Sequence, residues 1–139
     1  MGDIQGDYWK LKAFVEHGRG KKSRKVPSKR STWIHLLGQA DETLPTIGIQ
    51  FHNTYVVKIE MNEWNQRIYR LNTNGWHTNT TKERICEYSP ARVYQRNFDW
   101  FIHDPQRGEI PFVDGIKVDM DGCVISPANV IEAIQNKAA

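Results

Sequence analysis

The chain has 139 residues, 39% hydrophobic and 11% aromatic, with two cysteines and a formal charge of +3. That length suits one domain burying around two-thirds of the surface its unfolded chain would expose. No apolar run approaches the ~18 residues needed to span a bilayer, and the start is not the basic-then-apolar pattern of a secretory signal. A cytoplasmic protein with no membrane partner is therefore expected. Cys86 and Cys123 could pair, but two reduced thiols are the usual reading, and their separation carries no zinc-ligand spacing.

The charge is unevenly placed. Residues 1–30 hold nine Lys/Arg against three Asp/Glu, which gives +6, whereas the other 109 residues hold ten against thirteen, which gives −3. The division expected from this is an N-terminal helix and basic arm over 1–30, then a single domain over 31–139.

Tyr8, Leu11, Phe14 and Val15 fall on one stripe of a helix from about Asp7 to His17, ended by Gly18 and Gly20. Docking on the core is the expected role of that stripe, with partner binding as the alternative. The next twelve residues carry Arg19, Lys21, Lys22, Arg24, Lys25, Lys29 and Arg30 around one apolar side chain, Val26. Such a run is expected to be solvated and mobile, and suits the neutralisation of phosphates. Seven contacts to duplex DNA would give a log K against log salt slope of about −6.

Ser31–Leu37 has the β-branched and aromatic content of a strand. Thr46–Phe51, Thr54–Glu60 and Gln66–Leu71 follow, with asparagine-rich turns between the last three, so an antiparallel meander is expected. The chain then reaches Asn72-Thr-Asn-Gly-Trp-His-Thr-Asn-Thr-Thr-Lys-Glu-Arg-Ile85, the stretch richest in signals. Asn74-Gly75 is a turn pair, since both residues tolerate φ > 0. Thr80 with Glu83 reads as a capping box starting a helix near Thr81, which Pro90 stops. Lys82 and Arg84 would then lie in the first turn, near free amides suited to an anion. Thr78, Thr80 and Thr81 add hydroxyl donors. Trp76 is expected in the core, and would stack on a base if it were exposed.

Arg92–Gln95 and Trp100–Ile102 read as strands around a turn at 97–99. Phe112-Val113 and Ile116–Val118 read as a second hairpin about Asp114-Gly115. Ser126-Pro127 opens a closing helix with Val130, Ile131 and Ile134 on its apolar face. The whole is an α+β domain: an antiparallel sheet or small open barrel of six to eight short strands, one inserted helix, and helices at both ends.

Catalytic signals are weak. His17, His35, His52, His77 and His103 form no helical i, i+4 pair. Asp119 and Asp121 beside Gly122 lack the further ligands of a calcium loop, and Val130 stands where the bidentate Glu belongs. No cofactor or metal is expected. Glu60, Asp114 and Lys117 would be a nuclease trio of a kind that almost any domain this size offers.

Gly-Trp-His-Thr-Asn-Thr-Thr-Lys-Glu-Arg-Ile at 75–85, Val-Tyr-Gln-Arg at 93–96, Trp-Phe-Ile at 100–102 and Pro-Phe-Val-Asp-Gly at 111–115 resemble a family of small uncharacterised proteins. That family is spread through bacteriophages, plasmids and their bacterial hosts. Cys86 stands where its members usually have asparagine, and the long basic arm is a second departure. The resemblance implies a phage or mobile-element origin and supplies no catalytic residues.

The function expected from these readings is a phage-encoded, non-catalytic accessory protein that binds nucleic acid. Its contacts would be Arg19, Lys21, Lys22, Arg24, Lys25, Lys29, Arg30, Lys82, Arg84, Trp76 and Thr78. The alternative is a protein-interaction module bound to an acidic host protein, such as an inhibitor of a host defence or polymerase factor, or a small virion component. A small nuclease is the third reading. The sequence leaves open whether the partner is DNA, RNA or protein, and what the oligomeric state is.

Overall fold

The computed structural model describes residues 7–20, 22–38, 44–62, 64 and 66–126. In chain order these give α1 (Tyr8–Glu16), β1 (Ser23–Lys25), β2 (Thr32–Leu37), β3 (Thr46–Phe51), β4 (Thr54–Met61) and β5 (Arg67–Leu71). Then follow α2 (Asn79–Tyr88), β6 (Arg92–Arg96), β7 (Asp99–Asp104), β8 (Gly108–Pro111), β9 (Lys117–Val118) and β10 (Val124–Ser126). Seven strands form one antiparallel sheet in the order β1-β2-β3-β4-β5-β9-β10, and β6-β7-β8 form a second sheet. The class is α+β, and the sheet stays open instead of closing into a barrel. Ten short strands replace the six to eight expected.

The alternation of β2 to β5 gives the large sheet two unlike faces. Ile34, Ile47, Ile49, Val57, Ile59, Tyr69, Leu71, Val118 and Val124 are buried on one of them. Both helices lie against that face, α1 over β1, β2 and β3, and α2 over β3 and β4. Helix α1 forms where expected because its stripe of Tyr8, Leu11 and Val15 is buried, while Asp7 caps it by accepting from the Lys10 amide at 3.1 Å. The Tyr8 hydroxyl donates to the Pro45 carbonyl at 2.6 Å, so docking on the core is the role this helix has. A bulge follows from Gln50 pairing with Tyr55 while Ile49 pairs with Val57, which leaves Val56 without a cross-strand partner.

Asp104 joins the two sheets. This buried carboxylate of β7 accepts from the Val124 amide of β10 at 2.8 Å, and from the Gln106 and Arg107 amides at 2.7 and 2.9 Å. The Arg107 guanidinium donates to Asp104 at 2.9 Å and to the Val124 carbonyl at 3.0 Å. Burial pushes the Asp104 carboxyl up, and these four donors outweigh it, holding the group below its ordinary value.

Several expectations need correcting. Residues 22–30 are not a free solvated run. Strand β1 pairs with β2, Val26 is buried, and Arg24 donates to the Phe14 carbonyl at 2.9 Å with its guanidinium over the Phe14 ring. Lys29 pairs with Glu87 of α2. The Asp114-Gly115 turn exists, with Gly115 at φ 88°, but it closes no hairpin. Strand β8 lies before it and pairs with β7, whereas β9 after it pairs with β5, so the turn carries the chain from one sheet to the other. The closing helix falls on residues 127–139, outside those described. Both cysteines are free thiols, Cys86 exposed and Cys123 buried.

Candidate nucleic-acid interface

The second face of the large sheet carries no helix among the described residues. Register places Ser23 and Lys25 of β1, Trp33 and His35 of β2, Gly48 and Gln50 of β3, Tyr55 and Lys58 of β4, Arg70 of β5 and Lys117 of β9 on it. Lys58 stands opposite Arg70, and Arg70 opposite Lys117. Three cations thus occupy one cross-strand row about 10 Å wide, given the usual strand spacing. Like charges directly opposite destabilise a sheet. Glu60 is the counter-ion the described residues supply, and it sits 4.0 Å from Lys117.

Beside this row lies an aromatic cluster. Trp33 is 41% exposed, and its ring runs nearly parallel to that of His35, with centroids 6.3 Å apart. Tyr55 meets His35 edge-on at 5.6 Å, and Lys58 Nζ lies 5.4 Å from the Tyr55 ring centre. Gly48 makes room for this: a Cβ there would fall 2.7 Å from Tyr55 Cδ1, so the ring lies across the glycine. His35 is held on both sides. Gln50 donates its amide N–H to the His52 carbonyl at 2.7 Å, which turns Gln50 Oε1 toward His35 Nε2 at 2.6 Å. That places a proton on Nε2 and leaves Nδ1 to accept from the Ser23 hydroxyl at 2.5 Å.

At the end of this face the chain turns through His52-Asn53 and a cleft of about 580 Å³ opens. Phe51, Thr54 and Val56 line it from the sheet, Thr73 and Trp76 from the loop after β5, and Thr78, Thr80 and Thr81 from the start of α2. Asn74 and Gly75 take φ values of 51° and 81°, and the Trp76 amide donates to the Thr73 carbonyl at 2.9 Å. The predicted turn is therefore present, locked from below by Asp114, which accepts from the Thr73 amide and hydroxyl at 2.7 and 2.8 Å. It carries Trp76 outward: the side chain is 66% exposed, against the expectation of a core residue. Asn53 and Thr54 border both the cleft and the shallow hollow beside Lys58 and Arg70, so the cleft, on the helix side of the sheet, and the open face adjoin the same His52-Asn53 turn.

The helix cap is Thr78, not Thr80. Its hydroxyl accepts from the Thr81 amide at 3.1 Å, α2 begins at Asn79, and Glu83 is exposed and closes no box. Thr78 has the extended backbone that a cap requires, with φ −104° and ψ 160°. Thr78→Ala is accordingly expected to lower stability by about 1 kcal/mol in urea melts, and Thr80→Ala by a few tenths at most.

Other predicted contacts are otherwise engaged. Arg84 is buried, its Nε donating to Thr32 Oγ1 at 2.9 Å and its Nη1 to Glu87 Oε1 at 2.7 Å. It is a packing residue and no first-turn anion contact. Lys82 Nζ lies 5.5 Å from the centre of the Trp100 ring, away from the cleft lining. Arg24 is turned to α1 and Lys29 to Glu87, whereas Arg19, Lys22, Lys25 and Arg30 are exposed. Lys21 lies outside the described residues. Of the predicted set, the structure brings only Trp76 and Thr78 to the cleft, and Lys25 to the sheet face. Lys58, Arg70, Lys117, Trp33 and Tyr55 carry no motif, and only the strand register unites them.

Among the described residues no group of three or more His, Cys, Asp or Glu is placed to hold a metal, and no helix is long and apolar enough to cross a membrane. Asp114 of the supposed nuclease trio is engaged with Thr73.

An open, basic and aromatic sheet on a small α+β scaffold is thus the class of surface this chain presents. Residues 19–119 match the model of the Kyanoviridae Gp96 protein family, and the chain belongs to that family of phage proteins. The matched stretch contains the described parts of both the open face and the cleft, and leaves out α1. No curated protein and no solved structure matches the chain.

Proposed function

We propose that this phage protein is a non-catalytic binder of single-stranded nucleic acid, and that the open sheet face is where the strand lies. The observation that carries this is the row Lys58–Arg70–Lys117, three like charges in cross-strand register against a single carboxylate, Glu60, which pairs with Lys117 at 4.0 Å. Such a row lowers stability unless an anion relieves it. The neighbouring aromatics select the kind of anion. Trp33 and Tyr55 offer ring surface to bases whose faces are free, which single strands have and duplexes do not. Lys25 extends the basic surface toward the β1 edge, so the part of the expected arm that serves this role is the part folded into the sheet.

Fluorescence anisotropy with labelled 20-mers of thymidine and of uridine, titrated at stepped salt, tests the reading. Three to four phosphate contacts give a log K against log salt slope of about −2 to −3 for a single strand. The Lys58→Ala/Arg70→Ala double variant should flatten that slope by about 1.4, and Tyr55→Ala should weaken binding roughly tenfold with the slope unchanged. Equal affinity and slope in the double variant, or no binding by the native chain at low salt, would overturn it.

A further inference from the structure

Among the described residues, no Lys, Arg, Asp or Glu lines the cleft at the end of the sheet. Its occupant is therefore electrically neutral where it touches the walls, unlike the phosphates suited to the face beside it. We infer that the cleft receives a single unpaired nucleobase, turned out of a strand that lies on the sheet. The inference rests on the proposed binding face and assigns the cleft a separate role.

Three features point to a flat, polar-edged ring. Trp76 is two-thirds exposed at the rim of a concave site. Its turn holds it there by two consecutive left-handed residues, Asn74 and Gly75. Second, apolar Phe51 and Val56 line the cleft together with exposed Asn53 and half-buried Thr80. Asparagine both donates and accepts, as a base edge demands. Third, the volume of about 580 Å³ lies within the range of small-molecule sites. Asn53 and Thr54 are shared with the hollow beside Lys58 and Arg70, so a base reaches the cleft from the open face by passing around the tip of the His52-Asn53 turn.

The test uses the full chain and thymidine dodecamers carrying one 2-aminopurine at successive positions. At saturation, one position should be quenched severalfold more than the others. Trp76→Ala should abolish that contrast and weaken binding roughly 5- to 150-fold, the span of one base–aromatic stack. Thr80→Val keeps the side-chain shape and removes the hydroxyl. It should weaken binding by a smaller factor at unchanged Tm. Uniform emission along the dodecamer, or a contrast that survives Trp76→Ala, would overturn the inference. If the Lys58→Ala/Arg70→Ala variant still loses affinity in that event, the binding face stands and only the cleft assignment falls. If no dodecamer binds the native chain, both fall.

Discussion

Asp104→Ala is expected to lower stability by about 3 kcal/mol or more, because it leaves three amides and a guanidinium without their acceptor. For a chain of this size that is a fall in Tm of about 10 °C. The loss is large because the carboxylate is the tie between the two sheets: β7 holds it, β10 donates to it, and Arg107 binds both Asp104 and Val124. The pH dependence has a definite sign. The folded carboxyl is held below its ordinary value, so its contribution is complete above the unfolded pKa of about 3.9 and is lost as pH falls through the folded value. Asp104→Asn should remove that acid-dependent part, giving a flatter stability profile below about pH 4 and a smaller loss than alanine at neutral pH. Urea melts at neutral pH and through the acid range check both. An alanine variant within about 0.5 kcal/mol of the native chain would mean that the sheets are held together by their apolar contacts alone.

The meander was legible because its residues alternate. The strand over Thr46–Phe51 has the same bounds in sequence and structure, and β2, β4 and β5 differ by one residue at an end. Strand β1 was hidden by its own chemistry. Ser-Arg-Lys reads as a solvated charge run, yet charged side chains are what an edge strand commonly carries. Strand β8 was hidden by its glycine and proline, which read as breaks although an edge position tolerates both. At Asp114-Gly115 the local turn chemistry was right and the pairing wrong. Turn residues fix a reversal, but the partners of Pro111 and Val118 were chosen by Phe101 and Tyr69 from elsewhere in the chain.

The candidate site divides the same way. Gly75 announced its turn, and the turn then decided the exposure of Trp76 against the average preference of tryptophan for burial. The row Lys58–Arg70–Lys117 was not legible at all. Each lysine or arginine in a strand reads as an ordinary solvated residue until the register of β4, β5 and β9 sets the three side by side. The N-terminal charge excess drew attention to the arm, whereas the cations that face one another belong to the part of the chain with a net negative charge.

Arg84→Ala is expected to destabilise the fold by about 2–3 kcal/mol, and this separates scaffold from site within the central motif. The buried face of α2 consists of Thr81, Arg84, Ile85 and Tyr88, so the arginine points into the sheet where a hydrophobic residue would be usual. Its Nε donates to the buried Thr32 hydroxyl oxygen, which itself donates to the Arg30 carbonyl at 2.9 Å. Its Nη1 binds Glu87, and the guanidinium carbon lies 5.8 Å from the centre of the Phe51 ring. Truncation removes two hydrogen bonds of a charged group and the packing over Phe51. The loss stops short of a fully orphaned charge, because Glu87 keeps Lys29 as a partner. Lys82→Ala should lower stability by no more than about 1 kcal/mol, since it chiefly removes the attraction between a partly exposed ammonium and the Trp100 ring beneath it. Neither substitution should alter the salt slope of oligonucleotide binding at temperatures where the variant remains folded, because both side chains lie off the open face. Urea melts of the two variants, with anisotropy titrations on the folded protein, give the comparison. If Arg84→Ala proves neutral in stability while its affinity and salt slope fall, the guanidinium leaves Thr32 to meet a phosphate, and α2 is part of the binding surface.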